Sequence, residues 1–290
     1  MIHSNAPNDL FPLISIGMPI YNEGRFLNES LESLLGQSYP NLELVISNNA
    51  STDESADICA DYAARHDNVH FFQFDENQGA VANFRKVLDQ AQGEYFMWAA
   101  GHDVWHLDYV QRCYEAMQRW PESVVAFGST NWIDINGNPH SRQSGWIDTR
   151  GMHLIARYMT VYWGNMNPVL GLIRTSALRE CRFVETTGVD LVILTQLALL
   201  GDFVHADNTT WSRREFREEA VYADKLKRYQ SENYGLDQSR LGSMFPLARL
   251  PVELLRVVIS SRISLPQKLL LLPLLFVNLP VKYVTDKWFR

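Results

Sequence analysis

The 290-residue chain contains only three cysteines, Cys59, Cys113 and Cys181. They are too few for a disulfide framework and too widely spaced for a zinc knuckle, so a reducing, cytosolic compartment is the simplest expectation. Basic residues are also scarce, 26 against 33 acidic, for a net charge of -7. Broad nucleic-acid binding needs a basic face to displace counterions from phosphates, so that class is excluded. Long apolar runs are missing too. The nearest, Leu269 to Val277, is interrupted by Pro273 and flanked by Lys268 and Asn278, short of the ~18 to 20 residues that cross a bilayer. The first eleven residues lack the basic start and apolar stretch of a secretory signal and read as a loose lead-in.

What is present is 46% hydrophobic and 12% aromatic residues, enough for a sizeable core and incompatible with a disordered or collagen-like chain. Leu13 to Met18 is an apolar run closed by Pro19 and predicts a buried strand. Phe26, Leu27, Leu31, Leu34 and Leu35 then form one stripe of a helix over Glu23 to Gln37. Strands are expected at Leu42 to Ile46, Val69 to Phe74 and Glu94 to Ala99, with a helix at Ala80 to Gln92. Ser51 or Thr52 is expected to cap the helix after the second strand. Such alternation predicts a parallel α/β sheet with its site at the carboxyl ends of the strands. Past residue 105 the rhythm changes: an Asn136-Gly137 hairpin turn follows a strand at Val124 to Gly128. Val189 to Leu200 reads as an apolar helix ended by Gly201.

Four loops fall at the predicted strand ends: Tyr21-Asn22-Glu23, Asn48-Asn49-Ala50-Ser51, Asn77-Gln78-Gly79 and Gly101-His102-Asp103. Amides can read base and ribose edges, and helix N-termini favour phosphate, so together these loops suit a nucleotide. Their order is more informative than any one of them. Pro19-Ile-Tyr-Asn-Glu23 is followed by Asn48-Asn-Ala-Ser-Thr-Asp53, by Asn77-Gln-Gly79 with Asn83, and by Gly93-Glu-Tyr95 leading to His102-Asp103. Gly171-Leu-Ile-Arg174, Gly188-Val-Asp190 and Leu197-Ala-Leu-Leu-Gly201 come later. As an ordered set, over roughly residues 12 to 216, the chain resembles the family-2 inverting glycosyltransferases of the GT-A fold.

That resemblance implies a GT-A catalytic domain over residues 12–225, with a mostly parallel sheet flanked by helices, followed by a helical, basic, Leu-rich region at 226–290. It implies transfer of a sugar, with inversion, from a UDP-, GDP- or dTDP-sugar to an acceptor hydroxyl. The acceptor class it suggests is a bacterial surface polysaccharide or lipid-linked glycan. The nucleotide would meet Pro19, Tyr21, Glu23, Asn48, Asn49, Asn77, Gly79, Asn83 and Gly101, and Asp190 would be the general base. A divalent ion, Mn²⁺ or Mg²⁺, would be held at His102 and Asp103. Here the chain departs from the family: His102 stands where a metal-binding Asp normally sits, and Phe216 replaces a further ligand. Imidazole brings no negative charge and prefers later metals. Arg213 and Arg214 offer a second route, because guanidinium forks bind phosphate oxygens in pairs. The altered motif leaves an alternative, a weak or inactive relative that binds nucleotide or glycan. A sugar nucleotidyltransferase is disfavoured because Met18 to Gly24 contains no Lys.

From Met244 onward seven basic residues face two acidic ones among many leucines. That composition predicts contact with an anionic membrane surface, on the inner face of the plasma membrane, with packing on its own domain as the alternative. Pro266, Pro273 and Pro280 recur every seven residues and predict several short helical pieces.

Overall fold

Strand β1 (Ile14–Ile20) is buried at every position, as expected for a strand covered by helices on both faces. In the computed structural model, which describes residues 11–144, 147–215 and 249–288, β1 lies inside a nine-stranded sheet. β2 (Leu42–Asn48) and β4 (Tyr95–Trp98) flank it in parallel, and β3 (Val69–Gln73) runs parallel beyond β2. Helices α1 (Gly24–Leu35), α2 (Ser55–Arg65) and α3 (Ala80–Gln90) make the crossovers between them. The other half is mostly antiparallel. β8 (Leu172–Arg174) runs against β4 and against β6 (Ser123–Ile133), while β9 (Asp202–Arg214) runs with β6 and against β5 (Val104–Trp105). β7 (Pro139–Gln143) returns along β6 through the expected Asn136-Gly137 turn. Asp134 Oδ1 accepts the Asn136 and Asn138 amides there, and Gly137 takes φ 85°.

The sheet is covered on both sides. α1, α2 and α4 (Tyr109–Arg119) close one apolar core. α3, α6 (Thr175–Glu180) and α7 (Val189–Leu200) close the other. α7 is apolar nearly all round because it has two buried sides. Ile193, Leu194, Leu197 and Ala198 face the sheet core, while Leu191 and Val192 face a third cluster. That cluster joins α5 (Leu154–Trp163), α8 (Arg249–Ser260) and α9 (Leu265–Trp288).

Two expectations need correcting. α9 is one helix with Pro273 and Pro280 inside it, not several pieces. Residues two turns apart share a face, and Pro266, Pro273 and Pro280 are all exposed. The carbonyls that lose their donors therefore lie on the outer side and not in the core. Leu265–Lys282 is also long and apolar enough to cross a membrane by length and composition alone, although no continuous apolar run shows this in the sequence. The expected lead-in before residue 11, Phe216, and the domain boundary near residue 225 lie outside the described residues.

Candidate active site

The loops at the carboxyl ends of β1, β2 and β3 are bound to one another. Asn22, at φ 55°, donates its amide to Ser51 Oγ at 2.9 Å and accepts the Thr52 amide at 2.8 Å. Ser51 and Thr52 therefore bridge to the first loop and do not cap α2, as the sequence had suggested. Asp53, one residue before the N-cap Glu54, instead accepts the Ser55 amide on one oxygen and the Gly24 amide on the other. Burial raises its carboxyl, but the hydrogen bonds from Ser55 and Gly24 outweigh this and hold it below the usual carboxylate range.

Asn48 and Asn49 are buried. Asn48 bonds Gln73 and Ser51. Asn49 donates to Asn77 Oδ1 at 2.9 Å and accepts the Gln78 amide at 2.8 Å, and Asn77 Oδ1 also accepts the Gly79 amide. Asn83 donates to the Ile20 carbonyl. The amides expected to read a base thus organise the loops that would surround one. Three polar atoms near the end of β1, namely Ser47 Oγ, Asn83 Oδ1 and Glu23 Oε2, are buried without a hydrogen-bond partner among the described residues. Pro19 lies opposite Ser47 in the β1–β2 register, and Tyr21 follows it at the half-buried rim.

Glu23 reaches across to His102. Its Oε1 lies 2.9 Å from His102 Nδ1, while Asp103 Oδ1 lies 3.7 Å from Nε2. Gly101 makes this possible, since a Cβ there would collide with Glu23 Oε2. Asp103 is almost fully buried and accepts the Arg214 amide at 2.9 Å. Burial pushes its carboxyl above the ordinary range, against the opposing pull of His102. The residues expected to hold a metal are therefore turned toward each other. Both imidazole nitrogens face carboxylates, and no three His, Cys, Asp or Glu side chains among the described residues form a cation site. This arrangement does not fit a divalent ion.

The two arginines part company. Arg214 is buried, with Nε bonded to the His102 carbonyl at 3.0 Å, Nη1 to the Asp134 carbonyl at 3.3 Å and Nη2 to Glu29, above the Phe26 ring. It clamps the His102 loop to β9 and α1 and has no free fork for a diphosphate, contrary to expectation. Arg213 is half-buried, stacked 4.9 Å from the Trp132 ring centroid and bonded to Asn167 Oδ1 at 3.1 Å. Asn167, in a 3-10 turn at Asn167–Leu170, is itself fixed by Thr130. Sequence reasoning missed Asn167 as a support of Arg213, because an Asn before a Pro looks like any turn.

Asp190 sits in the first turn of α7, after Gly188 at φ 85°. Burial raises its carboxyl, and the Arg213 guanidinium partly opposes the rise. The same guanidinium acts on Asp103, so Arg213 is the positive charge common to both carboxyls. Asp190 also lines a cavity of about 120 Å³ whose opposite wall is Ala80, Val81 and Phe84 at the start of α3. The structure thus brings Asp190 to one cavity with the start of α3, which directly follows the Asn77–Gly79 loop. A larger cavity of about 270 Å³, lined by Leu34, Tyr39, Leu42 and Asn68, lies at the opposite, amino ends of the strands. Trp98, Trp105 and Trp211 are core residues, and Trp163 donates a hydrogen bond to Asn278 of α9.

A mixed sheet of this order, flanked by helices, with nucleotide-type loops at one edge, defines a GT-A-like α/β fold. A family model described as Glycosyl transferase family 2 matches residues 15–181, and the chain belongs to that family. It is 32% identical over 121 residues to TuaG of Bacillus subtilis (strain 168), a glycosyltransferase provisionally assigned to teichuronic acid biosynthesis, covering 42% of this chain and 47% of TuaG. The chain spans about half the length of the curated relatives it matches. Among solved structures it resembles S. aureus TarS in complex with UDP, with a TM-score of 0.63, 15% identity, and coverage of 91% of this chain and 71% of that one. It also resembles the mannosyltransferase PcManGT from Pyrobaculum calidifontis in complex with GDP-Man and Mn²⁺, with a TM-score of 0.56, 17% identity, and coverage of 95% and 84%. At these identities the likeness is one of fold.

Proposed function

We propose that the chain transfers a sugar, with inversion, from a nucleotide diphosphate donor to an acceptor hydroxyl in the assembly of a bacterial surface polysaccharide or lipid-linked glycan. The observation that carries this reading is the placement of Asp190 on the cavity beside the Asn77–Gly79 loop, within the field of Arg213. In an inverting step the acceptor oxygen forms a bond to the anomeric carbon as the bond to the diphosphate oxygen breaks. The acceptor proton passes to a carboxylate on the attacking side, here Asp190. A carboxyl raised by burial is a stronger base once ionised, which suits proton removal from a hydroxyl. Arg213, held by Asn167 and Trp132, is the fixed cation proposed for the leaving diphosphate. The paired loops of β1 to β3 give the nucleotide a rigid frame, with Glu23, Asn83 and Ser47 supplying polar atoms that have no hydrogen-bond partner among the described residues. TuaG's assignment and the UDP and GDP-Man bound by the structural relatives support the substrate class.

The test starts with melting temperatures in UDP, GDP, dTDP and CMP, because a ligand that binds only the folded state raises them. The matching nucleotide-sugar is then supplied with candidate acceptors, and the anomeric configuration of the product is read by NMR. A product that retains the donor's configuration refutes the inverting mechanism. Nucleotide binding without turnover on any acceptor, with or without Mn²⁺, favours the binding-module alternative.

A further inference from the structure

Over residues 265–281 the outer face of α9 is made entirely of apolar side chains. Leu265, Leu269, Leu270, Phe276 and Val277 are each at least 60% exposed, and no polar residue between 265 and 281 is classed with them. The inner face is fastened to the catalytic domain. Leu271 and Leu275 are buried, Asn278 accepts a hydrogen bond from Trp163 at 3.2 Å, and Lys282 lies over the Tyr162 and Trp163 rings. A helix glued to a domain along one side, with a lysine tucked beneath it, is placed to lie along a surface and not to cross a bilayer. Beside it, α8 and the following turn expose Arg249, Val252, Arg256, Ile259 and Arg262. Between residues 249 and 282 five basic residues meet one acid, Glu253, which is buried under Arg249 and Arg256.

We infer that the α8–α9 hairpin is a docking surface for an anionic phospholipid bilayer, with α9 in the plane of the interface. Apolar side chains of this exposure enter the acyl boundary, while the arginines of α8 meet the headgroups. Residues 216–248 are a poor match for this face, with ten charged side chains in 33 residues. The hairpin also adjoins the proposed base. Leu250 of α8 packs on Gly188, where a Cβ would lie 3.1 Å from it, two residues before Asp190. A docked hairpin therefore brings the start of α7 near the bilayer and favours a membrane-anchored acceptor, a consequence that rests on the role proposed for Asp190.

Flotation of the full chain with vesicles tests the surface without any donor or acceptor, so its outcome is independent of the transferase reading. The chain is expected to float with phosphatidylglycerol–phosphatidylethanolamine vesicles and about tenfold less with phosphatidylcholine alone. High salt weakens the attachment, and alkaline carbonate releases it. The double variant Leu269→Asp/Phe276→Asp, at exposed positions, should lose at least about tenfold in binding with its melting temperature unchanged. Arg262→Gln should lose about fivefold at low salt. Carbonate-resistant binding overturns the in-plane geometry. Equal flotation of the Asp variant overturns the surface. Absence of flotation, with either a dimer dissolved by the Asp variant or a lowered melting temperature in it, shows that protein covers the face instead.

Discussion

The parallel half of the sheet and the β6–β9 half meet along one edge, and they use polar residues in opposite ways. On the parallel side, Asn22, Asn48, Asn49 and Asn77 are bonded to neighbouring loops. On the other side, Arg213 and Asp190 stand at the end of β9 and the start of α7, where a half-buried carboxyl is only partly balanced by a guanidinium. One wall is thus a frame and the other holds charge in reserve. Arg213 and Arg214 show the same contrast within two residues, because alternate residues of a strand face opposite ways. Arg214 turns toward α1 and is consumed by internal partners, whereas Arg213 turns toward Trp132 and the cavity side.

The largest expected effect separates chemistry from frame. Asp190→Asn should lower turnover by about 100-fold or more, since general-base assistance contributes roughly 10² to 10⁴. Nucleotide affinity, set by the other wall, should stay nearly unchanged in calorimetry. In the wild type, turnover should rise with pH through an apparent pKa above the ordinary carboxylate value, because the raised carboxyl must ionise before it accepts a proton. Near-normal turnover in the Asn variant removes Asp190 from the chemistry.

The two arginines sharpen the contrast next. Arg213→Ala should reduce turnover about 100-fold, the lower end of the scale for losing one preorganised charge or donor, with little change in melting temperature. Arg214→Met should do the reverse and destabilise the fold by ~2–3 kcal/mol, because it leaves the His102 and Asp134 carbonyls and Glu29 without their donor. Denaturant unfolding reads that loss. EDTA and Mn²⁺ should give nearly equal nucleoside diphosphate affinity in the wild type, since His102 is held between Glu23 and Asp103. A Mn²⁺-dependent gain abolished by His102→Ala would restore the metal role expected from the sequence.

The frame was more legible in the sequence than the charges. Alternating apolar runs and crossover helices place β1 to β4 to within two residues at each end, because period and length are local properties, although β1 runs through Pro19 to Ile20 and is not closed there. Val189–Leu200 is found for the same reason. Partnership is not local. Nothing near Asn49 in sequence shows that its side chain meets Asn77 and Gln78, 28 and 29 residues away. Likewise Arg213 and Arg214 look equivalent until β9 pairs with β6 and aims them apart. α9 is less legible, because each proline alone signals a helix break and only their seven-residue spacing, which puts them on one outer face, lets the helix continue.

Asn49→Ala should move stability and affinity together, which a catalytic residue would not do. Its removal leaves the Gln78 amide without its acceptor and frees Asn77, at about 1–2 kcal/mol. The nucleotide should bind more weakly because the frame is looser, and turnover at saturation should be nearly normal. Unchanged affinity with lowered turnover would mean that this wall takes part in the chemistry, and the contrast between the walls would fail.

The smallest effect concerns the tie between α1 and α2. Asp53 accepts the Gly24 and Ser55 amides, and its carboxyl is held below the ordinary value. A carboxyl lowered on folding contributes stability at neutral pH, and that contribution is lost as pH falls through the folded pKa. Asp53→Ala should therefore cost about 0.5–2 kcal/mol at neutral pH, the scale of losing a side chain that accepts a first-turn helix amide. The gap between variant and wild type should close in acid, below the ordinary carboxylate range. Serine at this position should recover part of the loss, since a hydroxyl can accept one of the two amides. If the gap persists unchanged into acid, the charge on Asp53 is not what joins the two helix starts, and the frame owes its rigidity to Asn22 and Ser51 alone.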